Sequence, residues 1–209
     1  MSGIQKQILW RLMMKIGQES VARWFNYVRE KHDPWFTQSF WDTQLKSKAE
    51  IIDNIPQHFH GKYYVCGGWF GVLAHLLNDN VVADEIHTID IDPQCKEVGD
   101  RYFCMDNLTY VTADMCEWDY SDADVVINTS TEHLHQHAYD KWWNKIPSNT
   151  FYAVQGNDLD IPDHVRNFKS LEYFTEWNRC TNTVFESGIE LRGPNNSTYT
   201  RYTVMGYKE

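Results

Sequence analysis

Residues 63–77, YYVCGGWFGVLAHLL, decide the fold. Tyr63 to Cys66 have buried-strand character and run into Gly67 and Gly68; Trp69 and Phe70 interrupt, and Gly71 opens an apolar run of helical character. Glycines where a strand hands over to a helix serve either a tight turn or a backbone that must lie close against a ligand. The rest of the chain decides between the two.

Downstream of this stretch, strand and helix patterns alternate. EIHTIDID (85–92) reads as a second strand, and PQCKEVGDRYF (93–103) as a helix with Pro93 near its first turn. LTYVTADM (108–115), ADVVINTS (123–130) and TFYAVQGND (150–158) read as strands three to five, with EHLHQHAYDKWWNKI as a helix before the fifth. DHVRNF (163–168) has helical character. NTVFESGIELR and RYTVMGYKE then form an antiparallel hairpin through the turn signal GPNNS. This alternation predicts an α/β chain with a mostly parallel sheet covered on both faces and the last hairpin on its edge.

Upstream the period is helical. Ile4, Ile8, Leu12, Ile16, Trp24 and Val28 recur at 3.6-residue spacing, and Pro34 stops the pattern because it disfavours helix at Asp33. A second helical pattern runs from Thr37 to Ile55. The division expected is therefore a helical extension over 1–58 and an α/β domain over 59–209.

At 209 residues with 15% aromatics, the chain is long enough for a substantial core. Its apolar runs fall far short of the ~18 residues of a transmembrane helix, and the N-terminus lacks the features of a signal peptide, so a cytoplasmic, soluble protein is expected. Five scattered cysteines without a C-x-x-C pair argue for neither zinc nor a disulfide framework. The net charge of −10 is uneven: residues 1–62 carry nine Lys/Arg and six Asp/Glu, the remainder ten and twenty-three. Such an acidic body repels a phosphate backbone, which makes DNA or RNA a poor substrate.

In an open parallel sheet, ligands bind beyond the carboxyl ends of the strands. There this chain places Gly67-Gly68-Trp69-Phe70-Gly71, then Asp90-Ile91-Asp92, then Asp114-Met115, then Asn128-Thr129-Ser130-Thr131-Glu132-His133. Asp90 lies about twenty residues beyond the glycines, where a carboxylate can accept both hydroxyls of a ribose. A dinucleotide fingerprint would read G-x-G-x-x-G; here the spacing is G-G-x-x-G, crowded by Trp69 and Phe70, and the acidic strand ends disfavour a phosphorylated ligand. A ligand with ribose, adenine and a positive centre fits, namely S-adenosylmethionine.

Over about residues 60–209 the sequence resembles the class I, Rossmann-like S-adenosylmethionine-dependent methyltransferases. VCGGWFG stands at the family's glycine motif, HTIDIDP at its ribose-binding acid and VTADM at its adenine-binding pair. Tyr64-Val65-Cys66 stands where the family has its leading acid. The resemblance implies a seven-stranded sheet with helices on both faces and an antiparallel last strand. It further implies that Gly67, Gly68 and Gly71 line the methionine and ribose, that Asp90 binds the ribose hydroxyls, and that Asp114 and Met115 contact the adenine; Trp69 and Asp92, beside them, are further candidate cofactor contacts.

The acceptor end falls on NTSTEHLHQH. Asn128 is a candidate to hold a target amine or the cofactor's amino-acid end, and Glu132 and His133 to move a proton or orient the substrate. A helix N-cap by Ser130 or Thr131, with Glu132 in the first turn, accounts for part of the same pattern. Gln155-Gly156-Asn157-Asp158 offers a second polar rim. His133 and His137, four apart with Glu132 beside them, lack the H-E-x-x-H pattern, and no metal is expected. Trp10, Trp24, Trp35 and Trp41, with the Trp142-Trp143 pair, read mainly as core, while an aromatic extension also suits a lid over the site.

The function expected is methylation of N or O on a small molecule. Two alternatives remain open: another use of S-adenosylmethionine, as lyase, cyclase or aminopropyl-type transferase releasing methylthioadenosine, and a non-catalytic nucleoside-binding protein.

Overall fold

The computed structural model describes residues 17–31, 33–57, 59–193 and 197–209. Trp10, the helical pattern before Gly17 and the middle of the GPNNS turn lie outside the described residues. Three helices come first: α1 (Gln18–Lys31), α2 (Pro34–Gln38) and α3 (Asp42–Asn54). The alternating body follows as β1 (Lys62–Cys66), α4 (Val72–Asn80), β2 (Glu85–Asp90), α5 (Pro93–Tyr102), β3 (Leu108–Thr112) and β4 (Val125–Asn128). After a 3-10 turn at Thr131–His133 come α6 (Gln136–Lys145), β5 (Phe151–Asn157), α7 (Leu171–Trp177), β6 (Thr183–Arg192) and β7 (Thr198–Tyr207).

The seven strands form one sheet in the order β3-β2-β1-β4-β5-β7-β6. β1 pairs in parallel with both β2 and β4, while β7 runs antiparallel between β5 and β6. The expected hairpin thus lies at the sheet edge, with the reversed strand one place in and β6 outermost. Strand order reverses between β1 and β4, which opens a crevice beyond their carboxyl ends.

The central strands β1, β4 and β5 are buried on both faces, consecutive residues pointing to opposite sides of the sheet. Tyr63 and Val65 of β1 join one core with Trp24, Tyr27, Phe36, Ile51 and Leu73, so α1–α4 cover that face. Tyr64 and Cys66 join the other, with Tyr139, Trp142, Phe168 and Phe174 of the α6–α7 side.

The N-terminal helices are fastened to this body by buried polar contacts. His75 on α4 bridges Ser20 Oγ at 3.1 Å and the Tyr110 hydroxyl at 3.4 Å. Glu50 accepts from Ser187 and Thr203 at 2.5 and 2.6 Å, and Gln155 Nε2 donates to Ser47 O at 2.9 Å, which seats α3 on the sheet.

Pro34 acts as expected on α1 and also does something the pattern did not indicate. Asp33 is extended (φ −75°, ψ 109°) and its carboxylate caps the Trp35 and Phe36 N–H groups, so Pro34 is the first residue of a new helix. The expected helix over Thr37–Ile55 is accordingly two, broken around Ser39–Trp41. DHVRNF is not helical: Phe168 packs edge-on to Phe174 at 4.8 Å, and Arg166 lies 3.0 Å above Trp177. The helix of that region is α7, capped by Ser170. Among the described residues, no helix is long and apolar enough to cross a membrane.

Candidate functional site

The turn after β1 is shaped by backbone requirements. Gly67 adopts φ 60° and Trp69 φ 51°, both left-handed, and the Gly68 amide donates to Ile89 O at 3.1 Å. A Cβ on Gly68 would lie 1.8 Å from Thr88 Oγ1, so only glycine lets the turn sit this close to β2. Asp90 fixes the turn from the other side. Its Oδ2 accepts from Trp69 N at 2.8 Å and its Oδ1 from Asp92 N at 3.0 Å. A carboxylate offers about four acceptor sites, so two remain for hydroxyls of a ligand.

Asp92 caps α5 through Gln94 N at 2.8 Å, and Asp114 closes its own turn by accepting from Cys116 N at 2.8 Å. Gly67, Gly68 and Trp69, the acids Asp90, Asp92 and Asp114, and Met115 line one cavity of about 630 Å³. Glu132 and His133 line its other end.

Two of the expected contact residues do not line this cavity. Gly71 (φ 75°) is outside the lining, and a Cβ there would come 2.4 Å from the Tyr110 hydroxyl; this glycine makes room for Tyr110. Asn128 is fully buried, also outside the lining, with Oδ1 accepting from Ser130 N at 2.9 Å and Nδ2 directed at Met115 Sδ at 3.7 Å. It shapes the exit from β4 and supports Met115 from behind.

The expected helix cap is absent as well. Neither Ser130 nor Thr131 caps a helix; Thr131 Oγ1 donates to Gln155 O at 2.8 Å, and α6 begins only at Gln136. His133 and His137 therefore do not share a helix, and His137 stacks on His135 at 5.9 Å. The rim after β5 turns inward: Gln155 bonds Ser47 and Thr203, and a Cβ on Gly156 would meet Phe168 at 2.6 Å. Asn157 donates to Glu132 Oε1.

Glu132 is buried at that end of the cavity. Its Oε1 also takes Arg201 Nη1 at 2.8 Å, and Arg201 donates a second bond to Thr129 O. Arg201 comes from β7 and Lys48 from α3, and both line the cavity together with Trp35 and Gln38 of α2. Lys48 is 8% exposed, and its ammonium has Gln44 Oε1 at 2.9 Å. Burial, assisted by the positive charge of Arg201, pushes its pKa down to about 7. Lys48, Arg201 and Trp35 carry no signature in their local sequence, since each is brought to the cavity by tertiary packing. Only the aromatic richness of the extension pointed towards Trp35.

No protein-family model matches the chain, and no curated protein matches it. Solved structures do. The N-methyltransferase NodS of Bradyrhizobium japonicum WM9, in complex with S-adenosylhomocysteine, superposes with a TM-score of 0.64 at 11% identity over 88% of this chain and 98% of that one. The 1,6-didemethyltoxoflavin-N1-methyltransferase of Burkholderia thailandensis, with its substrate and S-adenosylhomocysteine bound, gives 0.62 at 15% identity over 89% and 87%. Geranyl diphosphate C-methyltransferase of Streptomyces coelicolor A3(2), holding Mg2+, geranyl-S-thiolodiphosphate and S-adenosylhomocysteine, gives 0.59 at 9% over 80% and 77%. The chain therefore has the Rossmann-like fold of the class I methyltransferases.

Proposed function

We propose that this protein is an S-adenosylmethionine-dependent methyltransferase acting on N or O of a small molecule. The observation that carries the reading is the convergence of the Gly67-Gly68-Trp69 turn, Asp90 and Asp114-Met115 on one wall of one cavity. That wall suits the cofactor chemically. The Gly68 cradle admits close backbone approach, Asp90 has acceptor capacity for ribose hydroxyls, and no Lys or Arg from β1–β3 lines it to favour a phosphate. When bound, S-adenosylmethionine supplies an electrophilic methyl group on a sulfonium.

The chain's own task is to hold and orient. Asp90 takes the ribose, Asp114 and Met115 the adenine, while Trp35 and Trp69, edge to face at 6.1 Å, exclude water from the rim. Lys48 has its pKa near 7 and is placed to take a proton from the acceptor's N–H or O–H as it is methylated. Of the extension over residues 1–58, Trp35, Gln38 and Lys48 form the acceptor wall and lid over the domain of residues 59–209.

Calorimetric titration with S-adenosylmethionine and with NAD tests the cofactor; micromolar binding of the first, lost in Asp90→Ala, is expected. Product analysis then tests the chemistry. S-adenosylhomocysteine supports methyl transfer, methylthioadenosine would move the enzyme to lyase, cyclase or aminopropyl chemistry, and tight binding without turnover would make it a non-catalytic nucleoside binder.

A further inference from the structure

We propose that Glu132, His133 and His164 form a binding site for one divalent first-row transition-metal ion at the acceptor end of the cavity. Each of the three offers a donor atom lying within 4.8 Å of the other two. They come from two segments, the 3-10 turn after β4 and the stretch after β5, which are joined where Val165 N donates to Glu132 O at 3.0 Å.

Three features indicate a site built to receive a cation. The first is the state of Glu132. Asn157 and Arg201 hold its Oε1, whereas Oε2 is buried without any hydrogen-bond partner. A carboxylate oxygen withdrawn from water and left bare is costly, and a positive partner removes that cost.

The second is the orientation of both imidazoles. His133 Nδ1 lies 2.9 Å from Asp163 O, and His164 Nδ1 lies 2.7 Å from Leu159 O. A carbonyl only accepts, so each Nδ1 carries the proton and each neutral ring keeps its lone pair on Nε2. Metal-binding histidines are oriented in this manner, by a backbone carbonyl on the nitrogen away from the ion. The third is the packing of the two rings, edge to face with centroids 4.9 Å apart, which holds both beside the carboxylate.

Two imidazoles and one carboxylate favour zinc or iron-group ions over magnesium or calcium, which prefer all-oxygen shells. Ligands at ~2.0–2.1 Å in tetrahedral geometry stand ~3.3 Å apart, so capture of the ion draws the three donors inward by side-chain rotation. Arg201 remains on the far oxygen as the outer partner that ligating carboxylates usually have. Three protein donors leave a coordination position open, and Glu132 and His133 both line the cavity. Resting on the methyltransferase reading, this makes the acceptor an oxygen- or nitrogen-bearing ligand of the ion. The metal site itself does not depend on that reading.

The test is titration of the chelator-treated full chain with Zn2+ by calorimetry and with Co2+ by visible absorption. S-adenosylmethionine affinity is measured on the same samples. One ion per chain is expected, with affinity reduced at least ~50-fold in both His164→Ala and His133→Ala, since each removes one of three ligands. His137→Ala serves as the control and should bind as the parent does. Cofactor affinity in His164→Ala should remain within about twofold, because His164 lies outside the wall built from β1–β3. Failure to bind either ion stoichiometrically, or undiminished binding in both ligand variants, overturns the proposal. Metal binding without S-adenosylmethionine binding would leave this site standing and sink the methyltransferase reading instead.

Discussion

The Trp69 amide donates to Asp90 Oδ2 at 2.8 Å, so the carboxylate at the end of β2 holds the glycine turn that follows β1. Under the proposed function Asp90 has two duties, one to the fold and one to the ligand. Asp90→Ala is expected to raise the S-adenosylmethionine Kd at least tenfold. It should also lower stability by about 1–3 kcal/mol, because the Trp69 and Asp92 amides lose their acceptor. Calorimetry and urea denaturation on one preparation check both effects.

Gly68→Ala should destabilise the chain by about 1–3 kcal/mol through overpacking against Thr88. Thr88 Oγ1 is buried without a partner, so Thr88→Ala alone should cost little. The double variant should recover part of the loss, since Val65 O would still stand 3.1 Å from the new Cβ. A double-mutant cycle in urea measures the coupling, and strict additivity would contradict the contact.

Lys48 links stability to function. Its pKa is lowered from 10.5 to about 7 in the folded protein, so between those pH values the unfolded chain binds more protons. The stability it allows is fully present above 10.5 and is lost as pH falls through 7. Lys48→Met should therefore be the more stable protein at pH 6, by something on the order of 2–4 kcal/mol, with the difference shrinking towards pH 10. The same variant should lose at least tenfold in kcat/KM. Urea midpoints from pH 6 to 10, read as the difference between the two proteins, provide the check.

His75 defines an acid limit. Burial lowers its pKa from 6.5 to about 4 despite the opposing charge of Asp79. The unfolded chain takes up this proton first, so stability is present above pH 6.5 and lost as pH falls through 4. The loss should be on the order of 3 kcal/mol, and His75→Leu should flatten that part of the profile. Thermal unfolding at half-unit intervals from pH 4 to 7 distinguishes the two proteins.

The sheet was legible because strand and helix periods differ so clearly between Lys62 and Asn157, and because Gly and Asp punctuate the strand ends. What the pattern left open has a common cause. Position at a strand end does not reveal which way a side chain turns: Gly71 makes room for Tyr110 and Asn128 shapes the β4 exit, and neither lines the cavity. DHVRNF carried a helical pattern, but burying Phe168 against Phe174 and laying Arg166 on Trp177 settled its backbone otherwise. Lys48, Arg201 and His164 were not legible as a group. They are far apart in sequence, and only the folded chain gathers them near Glu132 and the cavity.

The insertion of β7 between β5 and β6 has a consequence for biosynthesis. During translation β5 emerges some forty residues before the strand that covers its open side, and β6 has no place in the sheet until β7 arrives. A nascent chain that stops short of Thr198 therefore leaves unpaired the edge of β5 that β7 covers, on a strand whose residues are all buried in the finished protein. The same late strand delivers Arg201 to Glu132. Closure of the sheet and the pairing of Glu132 therefore wait on the same strand.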